Sequence, residues 1–208
     1  MFQVMLRIGA SACILLAWID LSVAAPKPVD HLNATEYLGR WYQVYASATV
    51  KYTMELGANC VTADYGAVAG RDDEITVVNI CHPLGIKVQV GGYAVADPAR
   101  AGVFEVALGP PGKPADPSKP KPFSAGNYVV VDLGPVVDGK YDYSIVTDPS
   151  MISLYILARD AGRFAKLYDS DVLRKVQELG FTSMLNKPLE TNQDGCAYTE
   201  GLPFVQIV

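Results

Sequence analysis

Tyr141-Asp142-Tyr143-Ser144-Ile145-Val146-Thr147-Asp148-Pro149-Ser150-Met151-Ile152-Ser153-Leu154-Tyr155-Ile156-Leu157-Ala158-Arg159 is the stretch that decides the fold. Two runs rich in β-branched and aromatic residues flank Asp148-Pro149, a turn signal, so the segment reads as strand, turn, strand. The apolar and aromatic residues fall on both faces of each run rather than on one, so both faces of this ribbon need cover.

The same texture extends outward. From Gly39 to Asp160, short stretches rich in Val, Ile, Tyr and Thr alternate with Gly, Pro and Asp, the mark of an antiparallel meander. Strands are predicted over Arg40–Ala48, Cys60–Val68, Glu74–Cys81, Lys87–Ala96, Val103–Leu108, Asn127–Leu133, Tyr141–Thr147 and Ser153–Arg159. Asp169 or Ser170 then offers an N-cap for one helix whose apolar side is Val172, Leu173, Val176 and Leu179, with Gly180 as its stop. Eight strands joined by short links remove their edges most simply by closing. The expected fold is all-β: an eight-stranded antiparallel up-and-down barrel with one C-terminal helix packed outside. An eight-stranded barrel has room for one small ligand. The link Gly109–Gly126, with six prolines and Lys113, Lys119 and Lys121, is expected to be stiff and extended, either a plain surface insertion or a lid at the mouth.

The 208 residues are 50% apolar, and 17 Lys plus Arg against 22 Asp plus Glu give a net charge of −5. This length suits one domain with one core. An acidic chain without a Lys/Arg cluster lacks the basic stripe that phosphate tracking needs, so nucleic acid is excluded as a partner. Arg7, the uncharged run Ile8–Ile19 and Ser22-Val23-Ala24 have the layout of a secretory signal peptide over residues 1–24, cut after Ala24. Asp20 interrupts the run before it reaches the ~20 apolar residues of a spanning helix. Residues 25–208 then form a single secreted, extracellular domain. Secretion permits disulfides, and Cys60, Cys81 and Cys196 allow one bridge and one leftover thiol. Asn33-Ala34-Thr35 is an N-glycosylation sequon ahead of the first strand.

Tyr37-Leu38-Gly39-Arg40-Trp41-Tyr42 carries a Gly-x-Trp that resembles the first signature of the lipocalin family. Asn127–Leu133 followed by Tyr141–Val146 resembles the second, with Asp132 kept, and Leu154–Arg159 resembles the third. The run Tyr143–Arg159 is most similar to the branch containing apolipoprotein D, bacterial lipocalins and plant temperature-induced lipocalins. The resemblance implies a calyx that binds a small hydrophobic ligand. It makes Gly39, Trp41, Asp132 and Arg159 structural, with the Arg159 guanidinium across the Trp41 indole. It also leaves room for peripheral contact with a membrane or lipoprotein surface, and a monomer is assumed.

If Trp41 points inward, alternation carries Gln43, Tyr45 and Ser47 in with it; Arg159 likewise implies Leu157 and Tyr155. The resemblance to apolipoprotein D places Tyr65 on the inner wall, with Ala63 and Val61, and Asn79 as an inward polar residue with Val77 and Ile75. The expected ligand-binding set is therefore Tyr45, Tyr65, Val77, Asn79 and Tyr155, subject to inversion by any β-bulge. By the same parity Cys60 faces out and Cys81 in. Spacing across the Gly70–Asp73 turn suggests Cys60 with Cys81, whereas the resemblance to apolipoprotein D pairs Cys60 with Cys196, the pairing favoured here.

No nucleophile elbow, metalloprotease helix, Cys-x-x-Cys or phosphate loop occurs, and His31 and His82 lack a nucleophile or metal partner in sequence. Asp72-Asp73-Glu74 lacks the spaced oxygens of a calcium loop. No cofactor, metal or catalytic residue is implied. The expected function is a secreted carrier of a fatty acid, lysolipid, sterol or other isoprenoid. The alternatives are an enzyme using the free cysteine inside the calyx, and a protein-interaction module acting through the Pro-rich loop.

Overall fold

Short links leave each apolar run little choice but to pair with its neighbour, and in the computed structural model of the protein this pairing runs full circle. The structure describes residues 25–111, 113, 115–116 and 126–198; residues 1–24, expected to be a signal peptide, and most of the Pro-rich link lie outside them. The elements in chain order are α1 (Ala34–Tyr37), β1 (Gly39–Ser47), α2 (Ala48–Thr53), β2 (Ala58–Val68), β3 (Arg71–Pro83), β4 (Val88–Ala96), β5 (Val103–Leu108), β6 (Tyr128–Leu133), β7 (Val136–Val137), β8 (Lys140–Tyr141), β9 (Tyr143–Thr147), β10 (Leu154–Ala158), α3 (Ala161–Leu167), α4 (Asp169–Glu178) and β11 (Pro188–Glu190). Strands β1 to β6, β9 and β10 pair antiparallel in sequence order, and β10 returns to β1, closing an eight-stranded barrel.

The expected strands are present, Val103–Leu108 unchanged and the others with ends moved by at most three residues, except that Tyr141–Thr147 is cut in two. Asp142 is the cut. Its buried carboxylate takes Arg163 from α3, while its amide donates to Pro135 O at 2.9 Å, so it leaves the ladder. Residues before it pair instead with β7 in a small hairpin.

The helical region is longer than its apolar pattern suggested. Asp160 caps α3 by accepting from Arg163 N, and α4 follows directly, with Tyr168 rather than Asp169 or Ser170 at the N-cap position and no side-chain cap bond. Asp169 is occupied elsewhere, accepting from the Tyr45 hydroxyl at 2.7 Å. Val172 and Val176 of α4, with Phe164 and Phe181, pack on Val44, Ile145, Ile156 and Ala158 from the outer face of β1, β9 and β10. A second cluster fills the barrel's interior, from Tyr37 and Trp41 through Tyr65, Val77 and Phe104 to Leu157. Strands with apolar residues on both faces are thus explained by two cores, one inside the barrel and one under the helix.

Candidate functional site

One end of the barrel is sealed. The Arg159 guanidinium carbon lies 3.6 Å from the centre of the Trp41 ring. Its nitrogens donate to five carbonyl oxygens, those of Glu36, Tyr37, Leu38, Arg40 and Tyr141, at 2.7–3.3 Å. The Trp41 indole N–H also donates to Tyr37 O, at 2.9 Å. All but that of Tyr141, which belongs to β8, are carbonyls where α1 ends and β1 begins, and a forked cation is suited to collect them. Gly39 sits between, at φ +102°, where a Cβ would come within 3.3 Å of Arg159 Nη1. Burial lowers Arg159 to about 10, so it stays charged at neutral pH. Asp132 does its structural work on the outside, where it accepts from the Tyr143 hydroxyl at 3.2 Å and from Lys175 Nζ of α4 at 2.5 Å.

Above this floor three phenols meet. Tyr128 Oη lies 2.7 Å from Tyr37 Oη and 3.1 Å from Tyr65 Oη, and Tyr37 Oη reaches Ser144 Oγ at 3.1 Å. Burial pushes Tyr37 up to about 12 and raises Tyr65 and Tyr128 as well, so all three remain neutral donors and acceptors.

From the phenols to the open end runs a cavity of about 540 Å³, inside the range of roughly 300–1,000 Å³ typical of small-molecule sites. Most of its wall is apolar: Val61, Ala63, Ile75, Val77, Val90, Ala94, Phe104, Val106 and Leu157. Nearer the mouth, polar groups return with Gln43, Glu55, Asn79 and Cys81. Gln43 Nε2 donates to Glu55 Oε2 at 2.7 Å and to Thr191 Oγ1 at 3.0 Å. Burial raises the Glu55 carboxyl, and the Gln43 bond and the charge of Lys51 offset only part of this. Burial, then the nearby Glu55, also raise the Cys81 thiol.

Tyr65, Val77, Asn79 and Tyr155 of the expected set line this cavity, as do Val61, Ala63, Ile75, Gln43 and Leu157. Tyr45 does not. A register shift in β1 between Gln43 and Tyr45 places one extra residue there, so Gln43 opposes Leu157 while Ala46 opposes Tyr155. Past this bulge the parity inverts, and both Val44 and Tyr45 turn outward to the helices. Ser47 is likewise not on the wall; its hydroxyl accepts from Val50 N at the start of α2. Glu55, Phe104 and Asn127 were not singled out in the sequence. Glu55 comes from a turn with no periodic signal, and its position depends on the partner Gln43.

Near the mouth the backbone ladder is incomplete in two places, and side-chain amides complete it. Between β5 and β6 only Val103–Val129 and Phe104–Tyr128 pair, and Asn127 stands in for the next rung by accepting from Val106 N and donating to Val106 O at 2.8 and 2.9 Å. Between β1 and β2, Gln193 of the C-terminal tail donates to Gln43 O and Val61 O at 2.7 and 2.9 Å. Cys60 N donates to Asn192 O at 3.0 Å, and Cys60 and Cys196 form a disulfide that pins the tail there. Cys60 takes φ +50° beside a second bulge, between Asn59 and Thr62, which turns it outward to the tail. Cys81 is left as the free thiol, on the cavity wall.

The model of the lipocalin-like domain matches residues 32–190. The chain belongs to this family. Solved structures of similar form include the major allergen Per a 4 from cockroaches (16% identity, 80% of this chain and 91% of that one, TM-score 0.47). They also include the siderocalin Ex-FABP, whose title speaks of dual ligand specificities (16%, 80% and 97%, 0.47). A third is Japanin from Rhipicephalus appendiculatus, solved bound to cholesterol (13%, 79% and 98%, 0.46). Among curated proteins none matches. Binding and transport rather than catalysis are the usual business of the lipocalin-like family. Cys81 lies inside the calyx but is held as a thiol, whereas the nucleophile would be the thiolate. Among the described residues no group of His, Cys, Asp and Glu is arranged to hold a metal, and no helix is long and apolar enough to cross a membrane.

Proposed function

We propose that this lipocalin is a secreted carrier that takes one small hydrophobic molecule, with a sterol, isoprenoid or lipid-like body, into its calyx. The observation that carries this is the cavity of about 540 Å³ closed by the Trp41–Arg159 floor, apolar over most of its wall and polar at both ends. Secretion is supported by the signal-peptide layout of residues 1–24 and by the disulfide, which belongs in an oxidising compartment. The Cys60–Cys196 pairing supports a place in the branch of apolipoprotein D. At Asn33 the N-cap uses Oδ1, which accepts from Thr35 N, so the amide nitrogen is available for a glycan; Asn33→Gln would then remove a mass increment from the secreted protein.

Tyr52 at the end of α2, Met54 and Leu56 in the turn after it, and Leu84 and Ile86 between β3 and β4, each at least two-thirds exposed, lie at the mouth beside β2. They support transient contact with a lipid surface from which the ligand is collected, to be checked by flotation with phosphatidylcholine vesicles. The test of the carrier itself is native mass spectrometry of the protein from a secreting host, followed by retinol and sterol titrations read by Trp41 fluorescence. A bound lipid near one per chain, or saturable quenching, is expected. An empty barrel that none of the probes enters would overturn the reading.

A further inference from the structure

The polar groups of the calyx are not a balanced set. Among the described residues the wall contains no Lys, Arg or His, and Glu55 is its only carboxyl group. Asn79 Oδ1 is buried without a hydrogen-bond partner among the described residues, an exception of the kind that a folded protein keeps for a reason. Glu55 accepts at Oε2 from Gln43, and no donor among the described residues is bonded to Oε1. Cys81 stands two residues beyond Asn79 on β3, on the same face, and contributes only a weak S–H donor. Lys51 does not make up the deficit. It is not part of the wall, and its Nζ is committed to Ala58 O at 3.1 Å and Thr191 Oγ1 at 3.4 Å. The mouth half of the lumen therefore has acceptors to spare and no cation.

We infer that the calyx selects ligands with a neutral hydroxyl head group over the matching carboxylates, the hydroxyl donating to Asn79 or Glu55 near the mouth while the hydrocarbon lies against Val77, Phe104 and Leu157. A hydroxyl can satisfy the orphaned acceptor and still accept a bond from the Asn79 amide nitrogen. A carboxylate has no proton to give, would enter beside Glu55, and would be desolvated with no positive partner on the wall. The floor does not offer it a better place, because the Tyr37, Tyr65 and Tyr128 hydroxyls are already bonded to one another and all are neutral. Spare acceptors and a carboxyl also suit the N–H donors of an amine, but an ammonium must shed its hydration to enter an apolar lumen where a neutral hydroxyl sheds far less, so amines are an arm of the test rather than the assignment.

This inference rests on the carrier reading, and matched probes separate the two. Retinol against retinoic acid, and hexadecanol against hexadecanoic acid, share a hydrocarbon and differ in the head. Dissociation constants at pH 7.5, from Trp41 quenching and competition with retinol fluorescence, should favour each alcohol by at least about tenfold. Asn79→Leu should weaken alcohol binding by about tenfold and leave the acids nearly unchanged, so that the ratio collapses. Glu55→Gln should tighten acid binding several-fold, with thermal melts showing that both variants are folded. Acids binding as tightly as alcohols in the unaltered protein would overturn the head-group assignment and leave the carrier standing, as would retinylamine outcompeting retinol. An unchanged alcohol-to-acid ratio in Asn79→Leu would overturn the role of Asn79. Failure of every probe, alcohol and acid alike, would overturn the carrier reading as well.

Discussion

The two ends of the barrel are built on opposite plans. At the closed end one cation, Arg159, gathers five carbonyls, four from the junction of α1 and β1 and one from β8, around a buried indole. At the open end the ladder runs out, the wall is completed by the amides of Asn127 and Gln193, and Asn79 Oδ1 is left without a partner. Satisfied polar groups make a rigid plug. Spare ones cost stability and are affordable only where a ligand can use them.

The comparison breaks most sharply at Arg159. Arg159→Leu removes the donor to five buried or half-buried carbonyls, each costing about 1–3 kcal/mol if unmet, so a loss of roughly 3–5 kcal/mol is expected in urea unfolding after partial rehydration. A loss below about 1 kcal/mol would show that the plug is not what holds the closed end. Next comes the tail. Cys60→Ala with Cys196→Ala should cost about 2–4 kcal/mol and, because Gln193 then loses its tether across the β1–β2 gap, should also weaken retinol binding; tight binding without the disulfide would mean that the amide holds the wall unaided.

Glu55 sharpens the contrast with pH. Its carboxyl is raised in the folded state, chiefly by burial, so the folded protein holds this proton more tightly than the unfolded chain. Its contribution is full below the ordinary value of 4.5 and is lost as pH rises through the raised one. Glu55→Gln, which still offers an oxygen to Gln43, should therefore be the more stable protein at pH 8 and lose that advantage at pH 4. Equal unfolding midpoints at pH 8 would remove the burial argument. Lys51, Cys81 and Tyr155 are the titratable neighbours that a full profile must include. The smallest effect belongs to the rim: Leu84→Ser with Ile86→Ser, at 89% and 68% exposure, should change stability by no more than about 0.5 kcal/mol, checked by the same unfolding midpoints, while reducing vesicle flotation.

Much of the closed end was legible in the sequence, because its parts are local or repeat with a short period. Gly39-x-Trp41 and Arg159 sit at strand ends next to turn residues, and alternation from them reached Leu157 and Tyr155 without error. The mouth was less legible. One extra residue near Val44 turned Tyr45 from the lumen to Asp169, and a period of two gives no warning of a bulge. Tyr168 likewise took the cap position because Asp169 was bonded across the fold, which helix-start rules cannot foresee.

By itself the sequence determined the number and order of barrel strands, the outer helix α4 and the composition of the interior, since these follow from apolar runs and the turn residues that interrupt them. Only the tertiary structure decided which polar groups meet. Glu55 with Gln43, Asn127 with Val106 and Gln193 with Gln43 and Val61 are brought together by the folded barrel across 12 to 150 residues, and such hydrogen bonds depend on register and bulges rather than on any local preference.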